Sequence, residues 1–127
     1  MRKLIIKKDL MDNIELFEEL GKIRDEADMT GDYKEGNKAF KKTERIFELA
    51  QNSSKSEQFY TTILNTCKNQ MTLVTCCVHM MRLSIFPKLA REKLVEISSK
   101  EKRMGLSSLE AEMFLREWDK GNIKPVR

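Results

Sequence analysis

Apolar and polar positions follow helical spacing along most of the chain and predict about six helices. Ile14, Phe17, Leu20, Ile23 and Ala27 recur at steps of three and four residues, which makes one apolar helix face. Asp9 or Asp12 can cap its start by accepting from first-turn N–H groups. Met29-Thr30-Gly31-Asp32 ends it, with Gly31 suited to a left-handed terminal position. A second helix runs from about Tyr33 to Ala50. Its pattern turns Tyr33, Asn37, Phe40, Ile46, Phe47 and Ala50 inward and leaves Lys34, Lys38, Lys41, Lys42 and Arg45 mainly outside. Gly36 within it costs about 1 kcal/mol against alanine unless it permits close approach of the first helix. Gln51 to Ser54 reads as a turn.

The stretch Gln58–Met81 is the least polar part of the chain. Lys68 is its only charged residue, in a protein that is 35% charged. Charged side chains are almost never fully buried unless paired, so this stretch marks the interior. It divides near Thr66 to Gln70. One helix begins at Ser56 and buries Phe59, Ile63 and Leu64; the next, from about Asn69, buries Met71, Val74, Cys77, Val78 and Met81. Pro87 suits the first turn of a fifth helix, where its missing N–H is not needed, and Leu89, Ala90, Leu94 and Ile97 supply the inner face. Ser98 to Gly105 is a charged loop. Ser107-x-x-Glu110 reads as a capping box for the last helix, with Leu109, Met113, Leu115 or Ala111, and Trp118 inside and Gly121 closing it. Short connections favour antiparallel pairing of successive helices, which both a compact bundle and a short helical solenoid satisfy.

Composition agrees with an all-α chain: only 5 Gly and 2 Pro occur in 127 residues. That length fits a single helical domain, residues 1–127, able to bury a core without disulfides or a structural metal. Cys67, Cys76 and Cys77 are odd in number and two are adjacent, a poor disulfide pattern. Leu4-Ile5-Ile6 is too short for a signal peptide, and no segment reaches the ~18 apolar residues of a membrane span. The expectation is a cytoplasmic protein with reduced thiols and no membrane association. Residues 1–66 carry 12 basic and 13 acidic side chains, and residues 67–127 carry 12 and 7. The basic second half favours either an acidic protein or a nucleic-acid backbone as partner, or simply provides a solvated surface.

Candidate chemistry is sparse. Cys76-x-x-His79 places two metal-ligand types one helical turn apart, but no second Cys/His pair completes a zinc set. The same residues make a poor thiolate–imidazole pair, because a reactive thiolate needs an electropositive, partly exposed setting. His79 is the only histidine, and no phosphate-cradling glycine loop occurs. No catalytic residue, metal or cofactor is assigned. Glu112 and Arg116 form an i,i+4 pair of the favourable orientation on a solvated face.

The stretch Leu109-Glu110-Ala111-Glu112-Met113-Phe114-Leu115-Arg116-Glu117-Trp118-Asp119-Lys120-Gly121 resembles the closing motif of a bacterial domain-of-unknown-function family, numbered two thousand and nineteen. Ala111, Glu112, Leu115, Glu117, Trp118 and Gly121 match its Ala-Glu-x-x-Leu-x-Glu-Trp-x-x-Gly pattern. Asn37, with Ala27 and Gly31-Asp32, fits its first helical junction, and Pro87, Ala90 and Leu94 fit its penultimate helix. Cys76-Cys77 stand where members carry an Ala-Ala pair, and the neighbouring arginine of the family is absent. The resemblance implies a short right-handed α-α superhelix of HEAT-like repeats, with the matched residues chiefly structural.

Three functions then compete. The first is a non-enzymatic protein-binding module, whose immunity sub-case, neutralising a toxin, comes from the resemblance. The second is nucleic-acid binding through Lys38, Lys41, Lys42 and Arg45, or Arg82, Lys88 and Arg91. The third, a small enzyme, has the fewest residues in its favour.

Overall fold

The computed structural model describes residues 5–99 and 106–126, and the charged loop expected between Ser98 and Gly105 falls mostly outside them. The protein is all-α. A 3-10 turn, Leu10–Asn13, precedes α1 (Ile14–Thr30), α2 (Tyr33–Gln51), α3 (Ser56–Thr66), α4 (Gln70–Arg82), α5 (Pro87–Ser98) and α6 (Leu106–Asp119), with no strand among the described residues. The chain forms two compact units, Met1–Thr72 and Leu73–Arg127.

The first unit starts with Asp9, whose carboxylate accepts from the Met11 N–H at 3.0 Å and caps the 3-10 turn. Buried Asn13 is fully engaged: its Oδ1 accepts from the Lys7 N–H, and its Nδ2 donates to the carbonyls of Lys7 and Asp9. Gly31 ends α1 at φ 77°, as the sequence predicts, and its N–H donates to the Ala27 carbonyl. Two residues then reverse the chain into α2. A Cβ on Gly36 would lie 3.1 Å from the Ala27 Cβ, so Gly36 does permit the close approach of α1 and α2.

The inner face of α2 differs from its expected one. Ala39, Thr43, Ile46, Phe47 and Ala50 are buried, whereas Tyr33, Asn37 and Phe40 are exposed, Tyr33 by 77%. The small Ala39 and Thr43 decide the face, and a count of large apolar residues passes over both. Thr43 can be buried because its hydroxyl donates to the Ala39 carbonyl at 2.9 Å. The core of the unit is aromatic. Phe17 meets Phe47 and Phe59 edge-on at 4.9 and 6.0 Å, and Tyr60 stacks on Phe47 at 5.9 Å. Such pairs add about 0.5–1.5 kcal/mol each beyond burial. Tyr60 takes the inner position expected of Leu64, which is half-buried.

The low-charge stretch is two helices, broken at Cys67–Asn69 as its polar residues predict. Asn69 starts α4: its Oδ1 accepts from the N–H and the hydroxyl of Thr72 at 2.9 and 3.0 Å. Its Nδ2 donates to Asp25 at 2.7 Å, and the Lys68 N–H donates to Glu18. This polar junction lies against Gly21 of α1, where a Cβ would come within 1.8 Å of the Thr72 hydroxyl oxygen.

In the second unit α4 is buried on most of its circumference, Cys76, Cys77 and Met80 completely. Val78, expected inside, is only partly buried, because Cys76 and Met80 take the inner positions. The helix ends with the Ile85 N–H on the Met80 carbonyl and the Ser84 N–H on that of Met81, around Ser84 at φ 58°. Pro87 opens α5 as predicted, and Ala90, Leu94 and Ile97 are buried, but Leu89 is 45% exposed. Leu89 sits in the first turn, beyond the stripe those three residues define.

Helix α6 corrects the expectation most. Ala111, Phe114 and Leu115 face inward, with Ser107 and Ser108, while Leu109 and Met113 point outward. The helix already includes Leu106, so Ser107 lies inside its first turn and does not occupy the cap of a capping box. Its far end matches the expectation. Gly121, at φ 80°, donates to the Trp118 carbonyl, and the Asn122 N–H reaches that of Glu117.

Candidate interaction surfaces

The cations expected on α2 do share its outer side. Lys38, Lys41 and Arg45 are exposed and Lys42 is half-buried, and with Phe40, Glu44 and Glu48 they line an open depression of about 490 Å³. Carboxylates interrupt the positive charge: Glu35 pairs with Lys38 at 3.6 Å, and Glu44 and Glu48 share the wall. The Arg24 guanidinium sits 5.2 Å from the centre of the Phe40 ring. Asn37 borders a smaller hollow of about 140 Å³ beside Arg24, Asp28 and Tyr33.

In the second unit Arg82 and Lys88 are exposed, but Arg91 is held by Asp119 through two parallel hydrogen bonds of 2.9 and 3.0 Å. That fork raises the arginine's pKa and lowers the carboxylate's. It ties α5 to α6. Arg91 is therefore engaged within the protein, whereas Arg82 and Lys88 have no ion-pair partner among the described residues.

The residues of the C-terminal motif each have a local role. Ala111 and Leu115 pack inward, Glu112 pairs with Arg116 at 3.0 Å, and Glu117 accepts from the Asn122 side chain. Trp118 is partly buried, its ring 5.7 Å from that of Phe114. A Trp118→Ala chain is expected to lose about 1–2 kcal/mol, less than the ~3–5 of a fully buried tryptophan, read as the shift of a urea midpoint.

Cys76 and Cys77 are fully buried, whereas Cys67 is half-buried at the polar junction beside Asn69 and His79 is partly buried near Arg82. Burial pushes the Cys77 thiol up to about 12, opposed weakly by Lys93, and also raises Cys67. Burial and then the Arg82 charge lower His79 to about 4. Among the described residues no three of His, Cys, Asp and Glu gather in a way that could hold a metal. Below its ordinary value of 6.5, unfolded His79 takes up a proton that the folded chain refuses until about 4. Stability should therefore fall as pH drops through that window, by on the order of 2 kcal/mol. A His79→Gln chain should show a flatter slope over the same range in urea titrations.

One surface had not been expected at all. Leu106, Leu109 and Met113 are 50, 50 and 53% exposed, and they fall on one side of α6, about half a turn from its buried stripe. Their spacing of three and four residues describes a second apolar face; the sequence pattern places Leu109 and Met113 on the inner face and does not single out Leu106. No helix among the described residues is long and apolar enough to cross a membrane.

The protein is all-α, and several of its helices expose charged or large apolar side chains. Comparisons with family models, curated proteins and solved structures find no match to the chain.

Proposed function

We propose that this chain is a non-enzymatic protein-binding module. The outward stripe of Leu106, Leu109 and Met113 carries the reading, because a helix already packed by one apolar face gains nothing in the folded chain from a second. Apolar side chains on an exposed helix face are suited to a partner's groove or to another helix. On the resemblance of the C-terminal motif alone, the proposal extends to a HEAT-like superhelical arrangement, a bacterial cytoplasmic setting, and toxin neutralisation as the form the binding takes. Affinity capture from the native host, with quantitative mass spectrometry, tests the reading. One stoichiometric protein should be retained and then lost with Leu109→Glu, a surface change expected to leave stability within about 0.5 kcal/mol. Retention of nothing, or of the same proteins by both chains, contradicts it.

Nucleic-acid binding through α2 is the second reading, supported by the clustering of Lys38, Lys41, Lys42 and Arg45. The interspersed Glu35, Glu44 and Glu48 weaken the field such a backbone would meet. If this reading is right, a duplex or single strand binds at low salt and is released steeply as salt rises.

A further inference from the structure

We propose that the turn between α4 and α5, together with the C-terminal segment that returns to it, docks an acidic protein segment bearing apolar side chains. This rests on the protein-binding reading above, but on a surface separate from the α6 stripe.

Two residues here work against the local stability of the turn. Phe86 sits at φ 42°, ψ 54°, in the left-handed region where a bulky side chain is an outlier and glycine or asparagine would be relaxed. Pro87 follows it, and a residue before proline is ordinarily driven to extended backbone. Ser84 shares the left-handed conformation, but its N–H helps close α4, whereas the Phe86 side chain remains 49% exposed and recovers only part of its cost by burial. Lys88, the second residue of α5, places a cation at the positive end of the helix dipole, in a first turn without any acidic residue. Residues that break local rules without a compensating gain concentrate at functional sites.

The surroundings give the partner its chemistry. Exposed Leu89 lies next along the helix and exposed Arg82 just before the turn. The Val126 N–H donates to the Arg82 carbonyl at 2.7 Å, which brings exposed Val126 to the turn and, two residues before it along the same segment, exposed Lys124. No acidic residue occurs from Arg82 to Arg91 or from Lys120 to Val126 in the sequence. Three apolar side chains thus accompany three cations, and complementarity selects an acidic partner. Two of the three apolar groups are aliphatic, which favours a protein segment over a nucleic-acid strand, since strands are held on aromatic platforms.

The test is fluorescence anisotropy of the full chain with a short labelled peptide in which Glu alternates with Leu and Phe. A peptide of equal charge with Ser at the apolar positions, a thymidine oligonucleotide and anionic phosphatidylglycerol vesicles serve as comparisons. The apolar acidic peptide should bind at least ~10-fold more tightly than its Ser counterpart. Phe86→Gly and Lys88→Glu should each weaken it ~10-fold while Tm stays level or rises, because each removes a locally unfavourable feature. A purely structural role predicts the reverse, a lower Tm with unchanged binding, and that result overturns the proposal. So does absence of peptide binding, or equal or tighter binding of the oligonucleotide or vesicles. If Phe86→Gly unfolds the chain, Lys88→Glu decides. Leu109→Glu should leave peptide affinity unchanged, so this inference and the α6 reading can fail separately.

Discussion

Gly21→Ala should destabilise the chain by about 3 kcal/mol, at the upper end for a change of one methyl group. The added Cβ would stand 1.8 Å from the Thr72 hydroxyl oxygen and 2.8 Å from Asn69 Oδ1, both shorter than atoms tolerate. Neither neighbour can retreat cheaply. Thr72 Oγ1 is hydrogen-bonded to Asn69 Oδ1, which also caps α4 through the Thr72 N–H, and Asn69 is held from its other end by Asp25. Displacing them loses the cap as well as the packing, and an unsatisfied buried group adds to the cost. A loss of this size should lower Tm by roughly 10 °C in a chain of this length. The check is a double-mutant cycle by thermal denaturation. Thr72→Ala alone should cost little more than its lost hydrogen bond, yet combined with Gly21→Ala it should recover part of the damage. Strict additivity would mean that the two residues do not oppose each other.

Phe17→Ala should cost about 3–5 kcal/mol. Phe17 is 1% exposed and joins α1 to two other helices, meeting Phe47 of α2 and Phe59 of α3 edge-on. Truncation removes a large buried surface and both edge contacts at once, and the neighbouring rings are braced against Tyr60, so the cavity cannot collapse freely. Phe17→Leu should recover roughly half the loss by filling most of the volume. Urea midpoints of the two variants measure this directly. Equal stability of Phe17→Ala and the parent would place the core of this unit elsewhere.

Much of the fold was readable because the signals were local. Gly31 and Gly121 mark helix ends through their left-handed backbone, Pro87 marks a helix start, and the polar residues between Thr66 and Gln70 mark the break in the low-charge stretch. Each of these acts within a few residues of itself. What could not be read depends on contacts distant in sequence or on small side chains. The inner face of α2 turns on Ala39 and Thr43, which carry little hydrophobic weight. Gly21 looks like an ordinary mid-helix glycine until Asn69 and Thr72 are brought against it.

The candidate surfaces were partly legible. The cations of α2 cluster as their spacing predicts, but the pairing of Arg91 with Asp119 is a tertiary fact. Apolar residues at helical spacing usually face the core, and on that pattern Leu109 and Met113 are expected inside. Only the burial of Ala111, Phe114 and Leu115 shows that α6 has two apolar faces. Phe86 gave no sequence signal of its own, since a phenylalanine before proline is ordinary until its backbone angles are known.

The α6 stripe is the feature from which the protein-binding account stands or falls. Its most direct test is quantitative affinity capture from the native host with the parent chain and Leu109→Glu side by side, after equal Tm values have shown that both are folded. The account predicts one stoichiometric protein on the parent, depleted at least ~10-fold on the variant. Identical recovery on both chains, or no protein on either, would contradict it.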